Sequence, residues 1–333
     1  MDTRRVQITG GSSYMVTLPK EWAASVGLRK NDPIGVRPNP DGSLVLYPKN
    51  VVPEARQTVK KIEVPESMDK DQLYRQLVGA YIAGHGSILV SSKKPLSIQA
   101  VDTVTSFTQT SIGFEVVEED EARIVVKDLM DHAEMRPIRS IERMRVLVRN
   151  MLSDVFETAF TGDPSLVRDM ESRDVEVDRI HWLVARQCSI YQKNASLLRN
   201  TDITLGQVTM CLSLSRVMER ISDHAVLVSE FLVGIPKQSG AVDVDRRLQE
   251  IGKGILELFN SSVNGWMSRD IAAADRCIRA GEATVEMIRG LFGSDTGLDR
   301  DTLSASSLIA SSSRRIAEYC MDISEMAINA AME

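Results

Sequence analysis

Apolar residues recur at helical spacing from Pro137 to the end of the chain, while the preceding part switches repeatedly between strict alternation and helical runs. The helical part divides into six predicted helices, roughly 138–161, 164–199, 204–233, 244–268, 270–292 and 301–331. Breaks fall at Gly162-Asp163-Pro164, at Thr201-Asp202 and at the longer stretch "GIPKQSGAVD". Asp163 before Pro164, and Asp301 or Thr302 before a periodic run, read as helix starts. Three helices, a linker and three more helices predict two three-helix bundles in tandem, a repeat over 137–233 and another over 244–331.

Ahead of them, residues 55–135 carry a strand "KKIEV", a helix "DKDQLYRQLVGAYIAG", a strand "GSILVSS" and a helix "PLSIQAVDTVTSFTQTS". The runs "FEVVEED" and "ARIVVKD" then read as a hairpin with an acidic, solvated tip. This predicts a small α+β domain, in which His85, between two glycines at a helix-to-strand turn, reads as surface decoration. Residues 1–50 alternate in "RRVQIT" and "YMVTL" around a turn at Gly10-Gly11-Ser12-Ser13. The segment "PKEWAASVG" follows as a short helix, with Pro19 in its first turn and Gly27 as its C-cap. The strands "PIGVRP" and "SLVLYP" close the segment around the turn "NPDG". Under 50 residues leave little core to bury, so this head is expected to pair with a copy of itself. The fold class is therefore multidomain and mainly α: half of a β-barrel, a small α+β domain and tandem three-helix bundles.

Composition adds constraints. With 43% hydrophobic and 26% charged residues over 333 positions, this is the make-up of a soluble globular protein. The longest apolar stretch, "AVLVSEFLVGI", is interrupted by Glu230, and the N-terminus has no apolar segment of the signal-peptide kind, so no membrane insertion is expected. Cys188, Cys211, Cys277 and Cys320 lie far apart among apolar neighbours and read as buried thiols in a reducing cytoplasm. The net charge of −6 is unevenly spread. Residues 1–50 carry seven basic against four acidic side chains, a net +3, while 51–136 and 137–333 carry −4 and −5. Only the head is a plausible nucleic-acid surface.

In that head, "VTLPKEW", "LRKND" and "SLVLYP" resemble the AbrB/SpoVT family of swapped-hairpin transcription factors. The resemblance covers about 45 residues. It implies a homodimer whose interleaved hairpins form one barrel, with Arg4, Arg5, Lys20, Arg29 and Lys30 in the positions that contact DNA. The plainer reading is a dimerisation module whose charges are merely solvated.

The helical part holds the candidate chemistry. Acidic residues stand four apart at Asp174/Asp178, Glu219/Asp223, Glu282/Glu286 and Glu318/Asp322. Like charges at this spacing repel by a few tenths of a kcal/mol. The first and third pairs are 108 residues apart, the second and fourth 99, so the pairs repeat with the bundles. Adjacent antiparallel helices would bring two pairs together in each bundle, an oxygen-rich patch suited to a hard or borderline cation. Against this stands the simpler reading that Arg216 and Arg315, three residues before Glu219 and Glu318, form surface ion pairs with them.

"ERISDHA", with "RRIAEYCMD" as a weaker copy and "RDVEVD" and "GEATVE" as second acidic frames, resembles the PhoU family of phosphate-uptake regulators. The resemblance spans about 195 residues and includes the duplication. It implies six helices in two bundles and a metal site in each, with Asp174, Asp178, Glu219, Asp223, Glu282, Glu286, Glu318 and Asp322 as ligands for Mg, Mn, Fe or Zn. It also implies action beside a phosphate ABC transporter and other phosphate-signalling proteins. An enzyme is not expected. Asp178–His181 is the nearest approach to a Glu-x-x-His motif and has no second copy, while His224 is turned about 100° from the Asp223 face; phosphate-loop and nucleophile-elbow motifs are absent. The sequence thus points to a cytoplasmic DNA-binding regulator of phosphate uptake. The alternative is an adaptor that dimerises through its head without touching DNA and acts on the transporter directly.

Overall fold

The computed structural model describes residues 3–11, 13–38, 42–48, 58–130, 136–157, 165–193, 204–233, 242–290 and 300–332. The "NPDG" turn, apart from Gly42, and the expected helix ends at 158–161, 194–199 and 291–292 lie outside them, as does most of the "GIPKQSGAVD" linker. Two compact units divide the chain, Met1–Gln57 and Thr58–Glu333.

The first unit holds two separate antiparallel hairpins, β1 (Gln7–Thr9) with β2 (Ser13–Met15) and β3 (Ile34–Pro38) with β4 (Leu44–Pro48). Between them lies α1 (Lys20–Ser25). Pro19 precedes α1, and Gly27 at φ +62 ends it, with Leu28 N–H donating to Ala23 O at 2.9 Å. Such a left-handed position suits glycine, which has no Cβ to clash. None of this unit's described residues is buried. Ile8 is 67% exposed, Tyr14 79% and Leu44 64%.

The second unit joins the α+β segment and the helices. Its sheet has the order β5-β6-β8-β7, from β5 (Val59–Glu63), β6 (Ser87–Ser91), β7 (Phe114–Asp120) and β8 (Arg123–Asp128). β5 and β6 are parallel, as their crossover through α2 (Lys70–Ile82) requires; β7 and β8 form the expected hairpin, bulged between Val116 and Glu118. Asp69 and Ser97 cap α2 and α3 (Ile98–Thr110), each accepting a backbone N–H three residues on. The core of this segment is Leu73, Leu77, Tyr81, Ile88, Val104, Phe107, Phe114 and Val126.

Six long helices follow: α4 (Pro137–Glu157), α5 (Ser165–Lys193), α6 (Leu205–Val233), α7 (Val242–Ser268), α8 (Ile271–Gly290) and α9 (Arg300–Met332). Helices α4 to α6 pack mutually, as do α7 to α9, and the two bundles join through α6 against α9 and α4 against α7. One continuous core runs through both bundles, from Ile141 on α4 to Ala327 on α9. All four cysteines are buried and free, as expected. Among the described residues no helix is long and apolar enough to cross a membrane.

The sequence suggests separate domains over 55–135 and 137–333, but the structure has a single compact unit there. The reason is α5, which is buried on two sides. One side faces α6. The other carries Arg179, Trp182, Arg186 and Lys193 against the α+β segment. Arg186, 1% exposed, lies between the rings of Tyr81 (4.9 Å) and Phe114 (4.8 Å). It donates to the carbonyls of Tyr81 (2.6 Å) and His85 (2.9 Å) and pairs with the buried carboxylate of Asp128. His85 is thus part of a junction, and its Nδ1 also meets Thr58 Oγ1 at 3.1 Å.

Candidate functional site

In the first bundle the expected carboxylates converge. Asp174 and Asp178 lie on the α5 face that meets α6, whose Glu219 and Asp223 stand opposite. Burial pushes the Asp178 carboxyl up to about 7, helped by the charges of Asp174, Glu219 and Asp223 and opposed by Arg216. Asp174 is raised by burial and by Asp223, against the pull of the Ser222 hydroxyl. Glu219 is raised by burial and then by Asp223, with Arg216 and Arg220 opposing; Asp223 is raised by partial burial against Arg220. The Asp174 Oδ1 atom is buried without a hydrogen-bond partner. Among the described residues, none of the four carboxylates makes an ion pair. Nor are any three His, Cys, Asp or Glu side chains drawn together closely enough to hold a metal ion as they stand. After burial, the neighbouring carboxylates raise Asp174, Asp178 and Glu219, while Arg216 and Arg220 oppose the rise at Asp178, Glu219 and Asp223.

The second bundle is different. Its α8 turns Cys277, Gly281, Val285 and Ile288 inward. Gly281 is so close to α9 that a Cβ there would stand 2.5 Å from Met321 Cγ. Glu282 and Glu286, each one residue further along, are consequently exposed, and Glu286 pairs with Arg289 at 3.3 Å. On α9, Glu318 accepts from Arg314 at 3.2 Å and Arg315 at 2.8 Å. Asp322 is raised by partial burial and then by Glu325, a residue outside the expected set. The structure therefore brings together Asp174, Asp178, Glu219 and Asp223, and leaves Glu282 and Glu286 apart from Glu318 and Asp322.

The α6–α9 contact explains the mismatch. The rings of His224 and Tyr319 face each other at 5.9 Å; Arg220 lies over Tyr319, and Arg315 lowers the pKa of His224 after burial has done so. This reciprocity makes 224 and 319 equivalent positions, 95 residues apart. Four wholly buried pairs obey the same spacing: Ile221/Ile316, Ala225/Cys320, Val228/Ile323 and Leu232/Ala327. In that register Asp223 matches Glu318 and Glu219 matches Arg314. The acidic spacing of 99 is one helical turn out of step with the fold.

His181 turns into the core, where its Nδ1 meets Ser215 Oγ at 2.9 Å and burial lowers its pKa to about 4. It adds no ligand to the carboxylates. In the head, Arg4, Arg5, Lys20, Arg29 and Lys30 are all exposed, and Asp32 accepts from the Arg29 backbone N–H at 2.7 Å. What sequence reasoning missed is Arg186 with Asp128. The signal was present in "HWLVARQC", a mostly apolar run in which Arg186 is the one charged residue besides the titratable His181.

In chain order, a segment of β-hairpins precedes a helical bundle with acidic side chains on its second and third helices. Residues 141–232 match the model of the PhoU domain, and residues 7–54 match that of antidote-toxin recognition MazE, a bacterial antitoxin. The chain thus carries one segment similar to the PhoU domain and, ahead of it, one similar to the MazE antitoxin domain. Over 148 residues it is 28% identical to the phosphate-specific transport system accessory protein PhoU homolog of Caulobacter vibrioides, in each of two strains. That match covers 43% of this chain and 61% of those relatives' length. PhoU from Pseudomonas aeruginosa is similar in structure at 15% identity and a TM-score of 0.47, covering 58% of this chain and 93% of that one. The phosphate transport system regulatory protein PhoU from Streptococcus pneumoniae is similar at 17% identity and 0.49, covering 58% and 91%.

The metal that the family resemblance implies can be tested against these residues. In the first bundle the four carboxylates are the donor type a hard or borderline cation takes, and Asp174 Oδ1 is buried without a partner, but no three of them stand close enough to hold a metal as placed. In the second, arginines already neutralise Glu318 and Glu286, and the donor set does not fit.

Proposed function

We propose that this chain is a dimeric regulator of phosphate uptake, in which the head binds DNA and the first helical bundle holds one metal ion. The observation that carries the reading is the group of four unpaired carboxylates on α5 and α6, which lies within the segment matching the PhoU domain. Asp174, Asp178, Glu219 and Asp223 would hold the cation between them. Bound there, it would supply positive charge that relieves their repulsion and ties α5 to α6. The accessory role of the Caulobacter relatives in phosphate-specific transport supports a transport system as the partner.

Dimerisation is supported by the head itself. A unit that buries none of its described residues cannot offset the entropy of ordering its chain, and a second copy would cover Ile8, Tyr14 and Leu44. Exposed Arg4, Arg5, Lys20, Arg29 and Lys30 then give each dimer ten cations for phosphate contacts. The test has two arms. A gel-shift titration against the gene's own upstream region should show binding that weakens with salt and is lost in Arg4→Ala/Arg5→Ala. Flat titrations at low salt leave the adaptor reading. Elemental analysis of untagged protein should find about one metal per chain; none above trace, with no shift in Tm on adding Mn²⁺ or Fe²⁺, removes the metal site.

A further inference from the structure

Where the two bundles join, the first turns of α4 and α6 and the last turns of α7 and α9 line a cavity of about 200 Å³. Ile138, Val208, Met210, Cys211 and Met267 make its wall largely apolar, and none of its described lining residues is acidic. Burial pushes the Cys211 thiol up to about 12, so it too is neutral. The volume lies below the roughly 300–1,000 Å³ of drug-sized pockets, which limits the guest to a small molecule. The two methionines are unbranched and adapt to the shape of what they enclose.

The polar groups of the wall are short of acceptors. Trp266, 8% exposed, belongs to the wall, and its indole Nε1 is buried without a hydrogen-bond partner. An indole N–H can only donate, and a buried donor left unpaired is costly. Gln207 is already engaged at the start of α6, its Oε1 accepting from Thr204 N–H at 2.8 Å. Arg269 stands at the exposed rim, in the connection between α7 and α8, and among the described residues it makes no ion pair. Its backbone is left-handed at φ +53, a conformation that glycine or asparagine adopts more readily than arginine. We propose that this cavity binds a small amphipathic anion, an aliphatic or aromatic carboxylate, with its apolar body between the methionines and its head group at Arg269. A ligand oxygen reaching the indole would supply the acceptor that the protein leaves out. The site touches all four helices that join the bundles, and it is independent of the carboxylates on α5 and α6.

The experiment titrates the full chain with phenylacetate and, as an uncharged counterpart of similar size, with ethylbenzene. Calorimetry measures binding, and Trp266 emission is followed in Trp22→Phe/Trp182→Phe, where it is the one remaining indole. The expected result is one phenylacetate per chain with a Kd of about 1 mM or lower, and a saturable emission change that tracks the isotherm. Arg269→Gly relieves the left-handed backbone, so its Tm should be unchanged or higher. Phenylacetate should nevertheless bind it about tenfold more weakly or worse, with ethylbenzene unaffected. Ala330→Leu, which enlarges a side chain in the wall, should weaken both probes while circular dichroism shows the helices intact. No saturable heat from phenylacetate up to about 10 mM overturns the site. Equal phenylacetate affinity in wild type and Arg269→Gly overturns the assignment to an anion, and unchanged affinity in Ala330→Leu puts the probe elsewhere and overturns the cavity.

Discussion

The two helical bundles have the same order of helices and share one core, yet they treat their acids in opposite ways. In the first, α5 and α6 set four carboxylates near one another with no ion pair to any of them among the described residues, and burial raises all four. In the second, Gly281 occupies the inward line of α8, and arginines take up Glu286 and Glu318. A like-charge cluster is retained at a cost in stability, whereas a surface ion pair contributes about 0–1 kcal/mol and calls for no further partner. Duplication of a helix pattern therefore does not duplicate a site. The first bundle is also anchored to a second layer through α5, where α8 has nothing comparable.

The largest expected effect lies in that anchor. Asp128→Ala leaves Arg186 buried beside two aromatic rings without its carboxylate and should destabilise the second unit by about 3–5 kcal/mol. Denaturant unfolding followed by far-UV circular dichroism measures it, and a loss below about 1 kcal/mol would mean that Arg186 has found water. Next in size is the response to metal. At a concentration a hundredfold above Kd, a single ion binding only the folded state stabilises it by about 2.7 kcal/mol. That gain in thermal melts should vanish in Asp178→Asn and survive intact in Glu286→Gln. Equal loss in both variants would restore symmetry to the bundles.

A smaller effect appears without metal, as pH dependence. The folded Asp178 carboxyl titrates near 7 against an ordinary 3.8. Well below pH 3.8 it is protonated in folded and unfolded chains alike. As pH rises from there through 7, the unfolded chain ionises first, so the stability contributed by the protonated acid is progressively lost. Asp178→Asn escapes that loss. Its apo stability relative to wild type should be level well below pH 3.8 and higher at pH 8, and a flat difference across the range would show that neither burial nor the neighbouring carboxylates raise Asp178. The smallest effect belongs to the second bundle. Glu318→Gln gives up contacts to Arg314 and Arg315, both partly open to solvent, and should cost no more than about 1 kcal/mol at any metal concentration.

Most of the architecture was legible before any coordinates, because period-2 and period-3.6 patterns report which faces of an element are buried. The six helices, the hairpin β7–β8 and the Gly27 stop all follow from such local signals. Legibility ended where a one-turn shift preserves the pattern. Spacings of 95 and 99 residues put equally apolar faces of α9 inward, and only the pairing of His224 with Tyr319 decides between them. Glu219/Asp223 and Glu318/Asp322 look alike as strings and lie in different surroundings for that reason. Arg186 failed differently: an arginine among apolar neighbours reads as the polar stripe of a helix, and its burial depends on Asp128, 58 residues earlier.

The sequence by itself determined the elements, the unburied state of the head and the presence of acidic pairs at helical spacing, since each depends on residues within a few turns of one another. The tertiary structure alone decided which acids face each other, that α5 is buried on both sides, and that the α+β segment and the bundles are one unit. Those outcomes depend on the rotation of each helix about its axis and on partners far away in the chain. Packing of whole surfaces sets such rotations, and a periodic pattern leaves them free by a turn.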